Sequence, residues 1–447
     1  MQSEFYGAEE HGAEQGTYAS MLPSLNQARF GSYLILPFQY EEGGFRRDWA
    51  DQRFIARDVT TVDLNEIARS MMSRGEKISA GHCWMVPRDV MLSEMTGSML
   101  SEDQTSFFVE SLSSRRRFSL IDSWLYVFHS QVAFFALGIV YDEIETLADI
   151  VNPGGADSRA AYHYEDASGC HAFSLEDWIG ALTSKVGLHP FFSSNSNTFL
   201  EVFTHTVAVV PEKFPNLEVM RQATFNIHLM IPFDNPITDN SEEDVRFVYA
   251  KIDEVHHNYR WATCVTSQTI SYITADPEMD LMSEMESSAK ESLPIDMLAL
   301  YEKFTCLHYT DAITSTDLRH LNRIQKLKME MLEFQAYGTL APANFSRWHN
   351  IKNIYASLLE TNGIPEAISD VDHKIKILSE HQRELESRRA GMLTNLITAF
   401  GIISILASVL TIIQILIGGN NTVWIALILT VVIICMVFLL ALFRRRR

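Results

Sequence analysis

Two long apolar segments stand out near the C-terminal end of the sequence. Residues 391–417 contain 27 positions without a charged side chain, and residues 423–443 contain 21. A helix needs about 20 apolar residues to cross the hydrocarbon core of a bilayer. The pattern therefore predicts a membrane hairpin, with transmembrane helices at 391–417 and 423–443 and an outer loop at 418–422.

The first predicted span differs from the second because small and hydroxyl-bearing residues recur along it. Their spacing of three or four residues places them on one face of a helix, which we name the hydroxyl stripe. Such a face allows close packing against another helix in lipid, or it lines a pore built from several copies of the helix. The stripe residues, our candidates for a pore lining, are Thr394, Thr398, Gly401, Ser404, Ser408 and Thr411.

An amphipathic helix is predicted to lead into the first span without a break. Residues 366–390 place apolar side chains along one seam and polar side chains on the opposite face. Projected at 3.5 residues per turn, the polar face continues into the hydroxyl stripe. In a ring of subunits, acids on this face would concentrate cations at the inner entrance of a pore. The candidates for the inner mouth are Asp370, Glu380 and Glu384, with Arg444, Arg445, Arg446 and Arg447 at the end of the chain.

The formal charge is distributed unevenly along the chain. The whole chain carries −20 at pH 7, yet residues 388–447 contain six arginines and no acid, so residues 1–387 carry −26. Because basic residues flank the outer ends of the hairpin, the positive-inside rule predicts that both termini are cytoplasmic. An acidic soluble part does not suit nucleic acid, whose phosphates need a basic surface. We expect a multi-pass protein of the inner or plasma membrane, with lipid as a partner and no nucleic acid.

The cysteines and the N-terminal sequence agree with a cytoplasmic soluble part. The five cysteines form no C-x-x-C pair and are odd in number, which indicates a reducing compartment. The polar, acidic N-terminus has neither the basic nor the apolar region of a secretory signal.

The region before the hairpin predicts an α+β cytoplasmic domain, in which helices cover a mixed sheet. Runs rich in β-branched and aromatic residues predict strands at 32–38 and 81–87, a strand pair around a tight turn at 123–141, and another pair within 257–274. Helical patterns resume after residue 292. The predicted order is a polar tail at 1–27, the α+β domain at 28–275, an acidic linker at 276–292, a helical stalk bundle at 293–390, the hairpin, and a basic tail at 444–447.

Catalytic motifs are scarce in this sequence. It contains no P-loop, no G-x-G-x-x-G, no G-x-S-x-G and no H-E-x-x-H. The stretch HYEDASGCH at 163–171 gathers residue types that bind zinc, but their spacing matches no standard zinc site. We therefore expect no enzymatic activity, and no cofactor or metal ligand is assigned.

The C-terminal architecture resembles the CorA family of two-span divalent-cation channels. An acidic domain, a stalk helix that becomes the first span, a short outer loop, a second span and a basic cluster follow one another in the same order. The resemblance implies a homopentamer in which the first span lines the pore, the second lies outside it and basic residues surround the inner mouth. It also implies Mg²⁺ or another divalent cation as the permeant or regulatory ion.

A Gly-Met-Asn signature follows the first span in that family and meets hydrated cations at the outer mouth. The corresponding place here lacks the methionine. An asparagine carbonyl can replace or bridge water around a cation, whereas glycine and asparagine are also the ordinary residues of a turn. The candidate outer-mouth residues are Gly418, Gly419, Asn420 and Asn421.

Three functions are compatible with these features. The first is a CorA-like channel or transporter for divalent cations, gated by its cytoplasmic domain. The second is a CorA-like membrane effector of a type III CRISPR antiviral system, gated by a nucleotide second messenger as ligand. The third is a transport-dead, membrane-anchored interaction protein.

Overall fold

A computed structural model gives the fold of this chain. It describes residues 18–431, with gaps at 62, 74–78, 97–104, 112–113, 152–160, 167, 192–201, 236–244, 250–258, 316–320, 418–423 and 426. The chain divides into two compact units. The larger unit extends to residue 315 and includes 327–372, and the smaller contains 316–326 and the chain from residue 373 onward.

The larger unit is built on a mixed sheet, as the sequence predicts. Most neighbouring strands are antiparallel, and β11 and β14 are parallel. The main path runs β12-β13-β14-β11-β1-β7-β5-β4-β8-β9, with β6, β3 and β2 continuing from β7, and β10 pairing with β1. The strands are β1 (Arg29–Gln39), β2 (Ile55–Arg57), β3 (Gly81–Val86), β4 (Ser106–Glu110), β5 (Arg115–Leu120), β6 (Ser123–Phe128), β7 (Val132–Tyr141), β8 (Ala161–Asp166), β9 (Gly169–Phe173), β10 (His189–Pro190), β11 (Phe203–Val210), β12 (Arg246–Tyr249), β13 (Trp261–Val265) and β14 (Thr269–Ala275).

Helices cover this sheet and form the C-terminal part of the chain. The helices predicted after residue 292 are confirmed as α9, α10 and α12, of which α9 and α12 pack together, and a short π-helix at Phe334–Gly338 follows α10. The helices are α1 (18–25), α2 (Arg47–Arg53), α3 (Glu66–Ser70), α4 (Arg88–Thr96), α5 (Glu145–Val151), α6 (Leu175–Lys185), α7 (Leu217–His228), α8 (Leu281–Glu291), α9 (Leu293–Thr314), α10 (Leu321–Glu333), α11 (Pro342–Phe345), α12 (His349–Thr361) and α13 (Ile364–Ile417).

The predicted strand pair at 123–141 is confirmed as the hairpin of β6 and β7. Gln131 occupies the tight turn with a positive φ of 66°. Nearly every residue of β7 is buried because the strand lies in the middle of the sheet with cover on both faces. A strand buried on both faces reads as an unbroken apolar run, and this explains the sequence VAFFALGIVY.

The acidic segment predicted as a linker at 276–292 is instead largely helix α8. Asp280 caps the helix by accepting hydrogen bonds from the backbone N–H groups of Met282 and Ser283. Its apolar face, with Met285 at the centre, packs against β1 and β11. Gly31 of β1 makes room for this contact, because a Cβ there would lie 2.4 Å from the Met285 sulfur. Apolar residues every fourth position gave this segment a buried face despite its charge.

The predicted uninterrupted helix from the stalk into the first span is confirmed as α13. It contains 54 residues, so it is about 81 Å long at 1.5 Å per residue. Gly363, with a φ of +59°, ends the preceding helix and allows the chain to turn into α13. The helix is long and apolar enough to cross a membrane, and none of its most apolar 18-residue stretch is buried.

The second predicted span lies mostly outside the described residues. Within 423–443 the structure describes 424–425 and 427–431, and these residues are helical. Among the described residues, α13 is the one helix that meets the length and composition of a membrane span.

Candidate functional site

The hydroxyl stripe of α13 is exposed along its whole length. Four of its side chains hydrogen-bond to the carbonyl one turn earlier in the helix. The Thr398 hydroxyl donates to the Thr394 carbonyl at 2.8 Å, and the Ser408 hydroxyl donates to the Ser404 carbonyl at 2.9 Å. Thr394 and Thr411 donate in the same way. These four donors are thereby satisfied inside the helix, and their hydroxyl oxygens keep acceptor capacity toward the open side.

The opposite face of α13 is partly covered. Over residues 391–412, the side chains of intermediate exposure follow each other at intervals of three and four residues, and all the others are exposed. This spacing defines a second stripe, which we name the covered seam, about half a turn away from the hydroxyl stripe. The seam consists of Leu396, Ala399, Ile403, Ala407 and Leu410.

The stalk part of α13 shows the same division into two faces. The apolar seam predicted within 366–390 is buried at Val371 and Ile375, and the polar Gln382 is buried as well. The candidate inner-mouth acids Glu380 and Glu384 lie on the exposed side. The polar face predicted from the sequence therefore remains open along both the stalk and the span.

The segment after the loop also has one covered side. Trp424, Ile428 and Val431 are of intermediate exposure, whereas Ile425 and Leu427 between them are exposed. Their spacing of four and three residues is that of a helix with one packed face. This is the arrangement expected where two apolar helices share a seam.

The inner-mouth candidates differ in their surroundings. Asp370 and Glu380 are exposed, and the Glu384 carboxylate accepts a hydrogen bond of 2.6 Å from the Arg388 guanidinium one turn later. Both side chains of that pair are exposed, so water screens the interaction. The outer-mouth candidates Gly418 to Asn421 and the basic tail Arg444 to Arg447 lie outside the described residues.

A cavity of about 1010 Å³ opens on the face of the sheet beside α8, within the larger unit. Sequence patterns alone did not indicate it. Strand alternation directs Arg117 of β5 into it, while the neighbouring Arg116 faces the other side and pairs with Asp149 at 3.1 Å. Arg57 of β2 and Arg88 at the start of α4 also line it, and Lys290 of α8 adds a fourth cation.

Two guanidinium groups of this cavity lack carboxylate partners. Within the described residues, Arg88 and Arg117 form no ion pair, and the Arg88 Nε atom is buried without a hydrogen-bond partner, whereas the charge of Arg57 adds to that of Lys290 in lowering the pKa of Glu286. By contrast, Lys290 donates to the Glu286 carboxylate at 2.6 Å, and this ammonium lowers the pKa of Glu286. The lining also contains the acids Asp58 and Asp122 and the aromatic side chains Tyr33, Trp124 and Tyr126.

The side chains at 163–171 that are of zinc-binding type make other contacts in the structure. The strands β8 and β9 form a hairpin in which His163 lies 3.3 Å from Glu110 and His171 lies 3.4 Å from Asp166. Glu165 accepts a hydrogen bond from Arg115. No group of three potential metal ligands occurs in the described part of the chain.

Comparisons with known proteins do not assign this chain to a family. The scan against protein-family models gives no match, and the search of curated proteins gives none either. Functional inference therefore rests on the residues and the geometry described above.

Proposed function

We propose that the protein is a CorA-like membrane channel for divalent cations, assembled as a homopentamer and gated by its cytoplasmic α+β domain. One observation carries the proposal. The polar face of α13 is left open from the stalk into the apolar segment, while the partly covered positions lie on the other face. A helix that anchors a protein without packing closely against a neighbour has no physical need for such a face.

The physics of the bilayer favours this arrangement. Polar groups within a span are usually directed toward a bundle interior or a water-filled path. A hairpin of two helices cannot enclose such a path alone, so a closed ring of identical subunits is required. In that ring the hydroxyl stripe of each α13 faces the axis, and the covered seam faces the helix that follows it. Hydroxyl oxygens then offer neutral acceptors to a hydrated cation without trapping it.

The charge distribution supports the topology of the proposal. Six arginines flank the hairpin on its N-terminal and C-terminal sides, so both ends of the hairpin stay in the cytoplasm. The acidic region before them then lies on the same side, where it raises the local concentration of cations.

The arginine-lined cavity favours a second candidate, a CorA-like effector of a type III CRISPR system that opens when a nucleotide messenger binds. Arginine fits phosphate oxygens with two parallel hydrogen bonds, and unpaired guanidinium groups are available for this in the cavity. The cavity lining contains four basic and three acidic residues, so its formal charge is positive, whereas the whole chain carries −20. The volume of about 1010 Å³ suffices for a ligand the size of a nucleotide.

One experiment separates the candidates. The purified full-length chain is placed in liposomes with a cation-sensitive dye, and flux is recorded with Mg²⁺, with Zn²⁺, and with ATP or a cyclic oligoadenylate. The channel candidate requires flux that depends on the divalent cation alone. Flux that appears only with a nucleotide favours the effector, and no flux under any condition leaves the membrane-anchored interaction protein.

The cavity itself is tested by nucleotide binding to variants. Arg117→Gln is expected to weaken binding about 10-fold or more, because a charge-assisted hydrogen bond contributes roughly 1.5–3 kcal/mol. Arg115→Gln is the matched control on the same strand, since Arg115 pairs with Glu165 outside the cavity. Equal affinities of both variants and the parent chain, measured by titration calorimetry, would remove the cavity from the ligand site.

A further inference from the structure

Three chemically reactive side chains from three different elements meet within the larger unit. His205 lies in the middle of β11, Ser288 lies on α8 and Asp296 lies near the start of α9. The sheet face that carries His205 is the one covered by α8, so the imidazole points toward the helices. His205 and Asp296 are both 0% exposed, and Ser288 is 7% exposed.

The three residues form a continuous chain of hydrogen bonds. His205 Nε2 lies 2.6 Å from the Ser288 hydroxyl, and His205 Nδ1 is hydrogen-bonded to the Asp296 carboxylate. Ser292 lies close to the same nitrogen, at 3.3 Å, and 2.7 Å from the Ser288 hydroxyl. A carboxylate that binds one imidazole nitrogen leaves the other nitrogen as an acceptor toward the serine, which is the geometry of nucleophile, base and orienting acid.

The Ser288 end of this hydrogen-bonded network borders a cavity. A space of about 260 Å³ is lined by Ser288 and Ser292, whereas His205 and Asp296 lie behind them. Trp261 and Asn350 also line it and supply side-chain N–H donors that make no hydrogen bond within the described residues. The Asp296 Oδ1 atom has no hydrogen-bond partner in the described part of the chain.

We propose that Ser288, His205 and Asp296 form a second, catalytic site that hydrolyses short-chain carboxylic esters, independently of the channel function. Ser288 Oγ forms a bond to the acyl carbon while its proton moves to His205 Nε2. The bond from the acyl carbon to the alcohol oxygen then breaks, and His205 returns the proton to that oxygen. A water molecule then forms a bond to the acyl carbon of the acyl-serine while its proton moves to His205. The bond from that carbon to Ser288 Oγ breaks and the proton returns to Oγ, which releases the carboxylic acid and restores the serine. Asp296 acts as a positioning residue that holds the imidazole.

The cavity lining indicates the class of ester. Its volume admits only a small acyl group, and three acids line it together with two aromatic rings. Burial raises the pKa of Asp63 and of Glu291, and their mutual repulsion adds to the effect on Glu291. Carboxylates and aromatic faces both attract cations. The substrate class is therefore a short-chain ester of a cationic alcohol. The acidic residues of the lining are Asp63, Glu284 and Glu291, and the aromatic ones are Trp261 and Tyr272.

The test uses the full-length protein in mild detergent, with a fluorophosphonate label and with acetylthiocholine and p-nitrophenyl acetate as substrates. Labelling is expected at Ser288, identified by peptide mass, and acetylthiocholine is expected to react faster than the neutral ester. Ser288→Ala is expected to lower both labelling and hydrolysis at least about 100-fold. Ser184→Ala, at an exposed serine of α6 that does not line this cavity, is the control and should retain both. Asp296→Asn should change the pH profile of labelling, because the tautomer of His205 is no longer fixed.

Two results would overturn the proposal. The first is a parent protein that melts cooperatively yet neither takes the label nor hydrolyses either ester. The second is labelling at another residue, Ser292 included, or labelling that persists in Ser288→Ala. Thermal melting of each variant shows whether a loss of reaction reflects a loss of fold. Since these readouts need no membrane and no ion gradient, failure of the channel proposal would leave them unchanged.

Discussion

Replacing Ser408 with leucine is expected to reduce ion flux through liposomes to less than about a tenth of the parent value, because a ring of leucines dewets a narrow path. Ser408 is the fifth of the six positions of the hydroxyl stripe, and its side chain is exposed in the structure. The leucine side chain keeps the helix intact, since it is a good helix former and is compatible with lipid. The loss would therefore come from the surface of the path and not from misfolding.

The matched control is Ile403→Leu on the covered seam of the same helix. It conserves volume and polarity, so packing changes cost little and flux should stay near the parent value. Both variants must insert into liposomes to equal extent, as judged by protein recovered after flotation. Equal flux in Ser408→Leu and the parent, or a selective loss in Ile403→Leu, would contradict the assignment of the pore face.

The second large effect is a loss of stability of the larger unit between about pH 4.5 and pH 8. Glu302 of α9 is buried, and burial raises its pKa to about 8, even though it accepts hydrogen bonds from the Tyr355 hydroxyl and the Leu340 backbone N–H. The unfolded chain ionises Glu302 near its ordinary pKa of 4.5. Between the two pKa values the folded chain binds one more proton, so the free energy of unfolding falls as pH rises, by about 5 kcal/mol in total.

Glu302→Gln isolates this contribution because glutamine keeps the size and cannot ionise. Chemical denaturation in detergent, followed by tryptophan fluorescence, should find the parent and the variant similar near pH 5. At pH 8.5 the variant should be the more stable, by up to about 5 kcal/mol. Parallel pH profiles for the two proteins would show that Glu302 does not carry a raised pKa in the folded chain.

Local patterns in the sequence were sufficient for much of the fold. The run at 123–141 predicted two strands because a buried central strand needs continuous apolar residues, and the turn between them lies at Gln131. The seam through Val371 and Ile375 predicted the buried face of α13 from its helical spacing. The linker prediction failed because charge was weighed above the apolar face of α8.

The cavity and the hydrogen-bonded triad depend on contacts that local patterns do not encode. Arg57 and Arg117 reach one cavity because β2 and β5 belong to the same sheet, which is a matter of strand order. His205 and Asp296 are 91 residues apart, and they meet only because α8 packs on β11 and α9 follows α8 directly in the chain. Ser288 carries no G-x-S-x-G signature, since it lies within a helix and not on a sharp turn after a strand.

Single-cysteine accessibility along α13 decides whether the hydroxyl stripe borders water inside the membrane. Cysteines are introduced one at a time from residue 394 to residue 411, and labelling by a membrane-impermeant thiol reagent is compared with that of the parent chain. We predict labelling at the positions of the hydroxyl stripe and protection at the covered seam, with a period of about 3.6 residues. Labelling of Ile403→Cys and Leu410→Cys in preference to Ser404→Cys and Ser408→Cys would contradict the account, as would protection of every position.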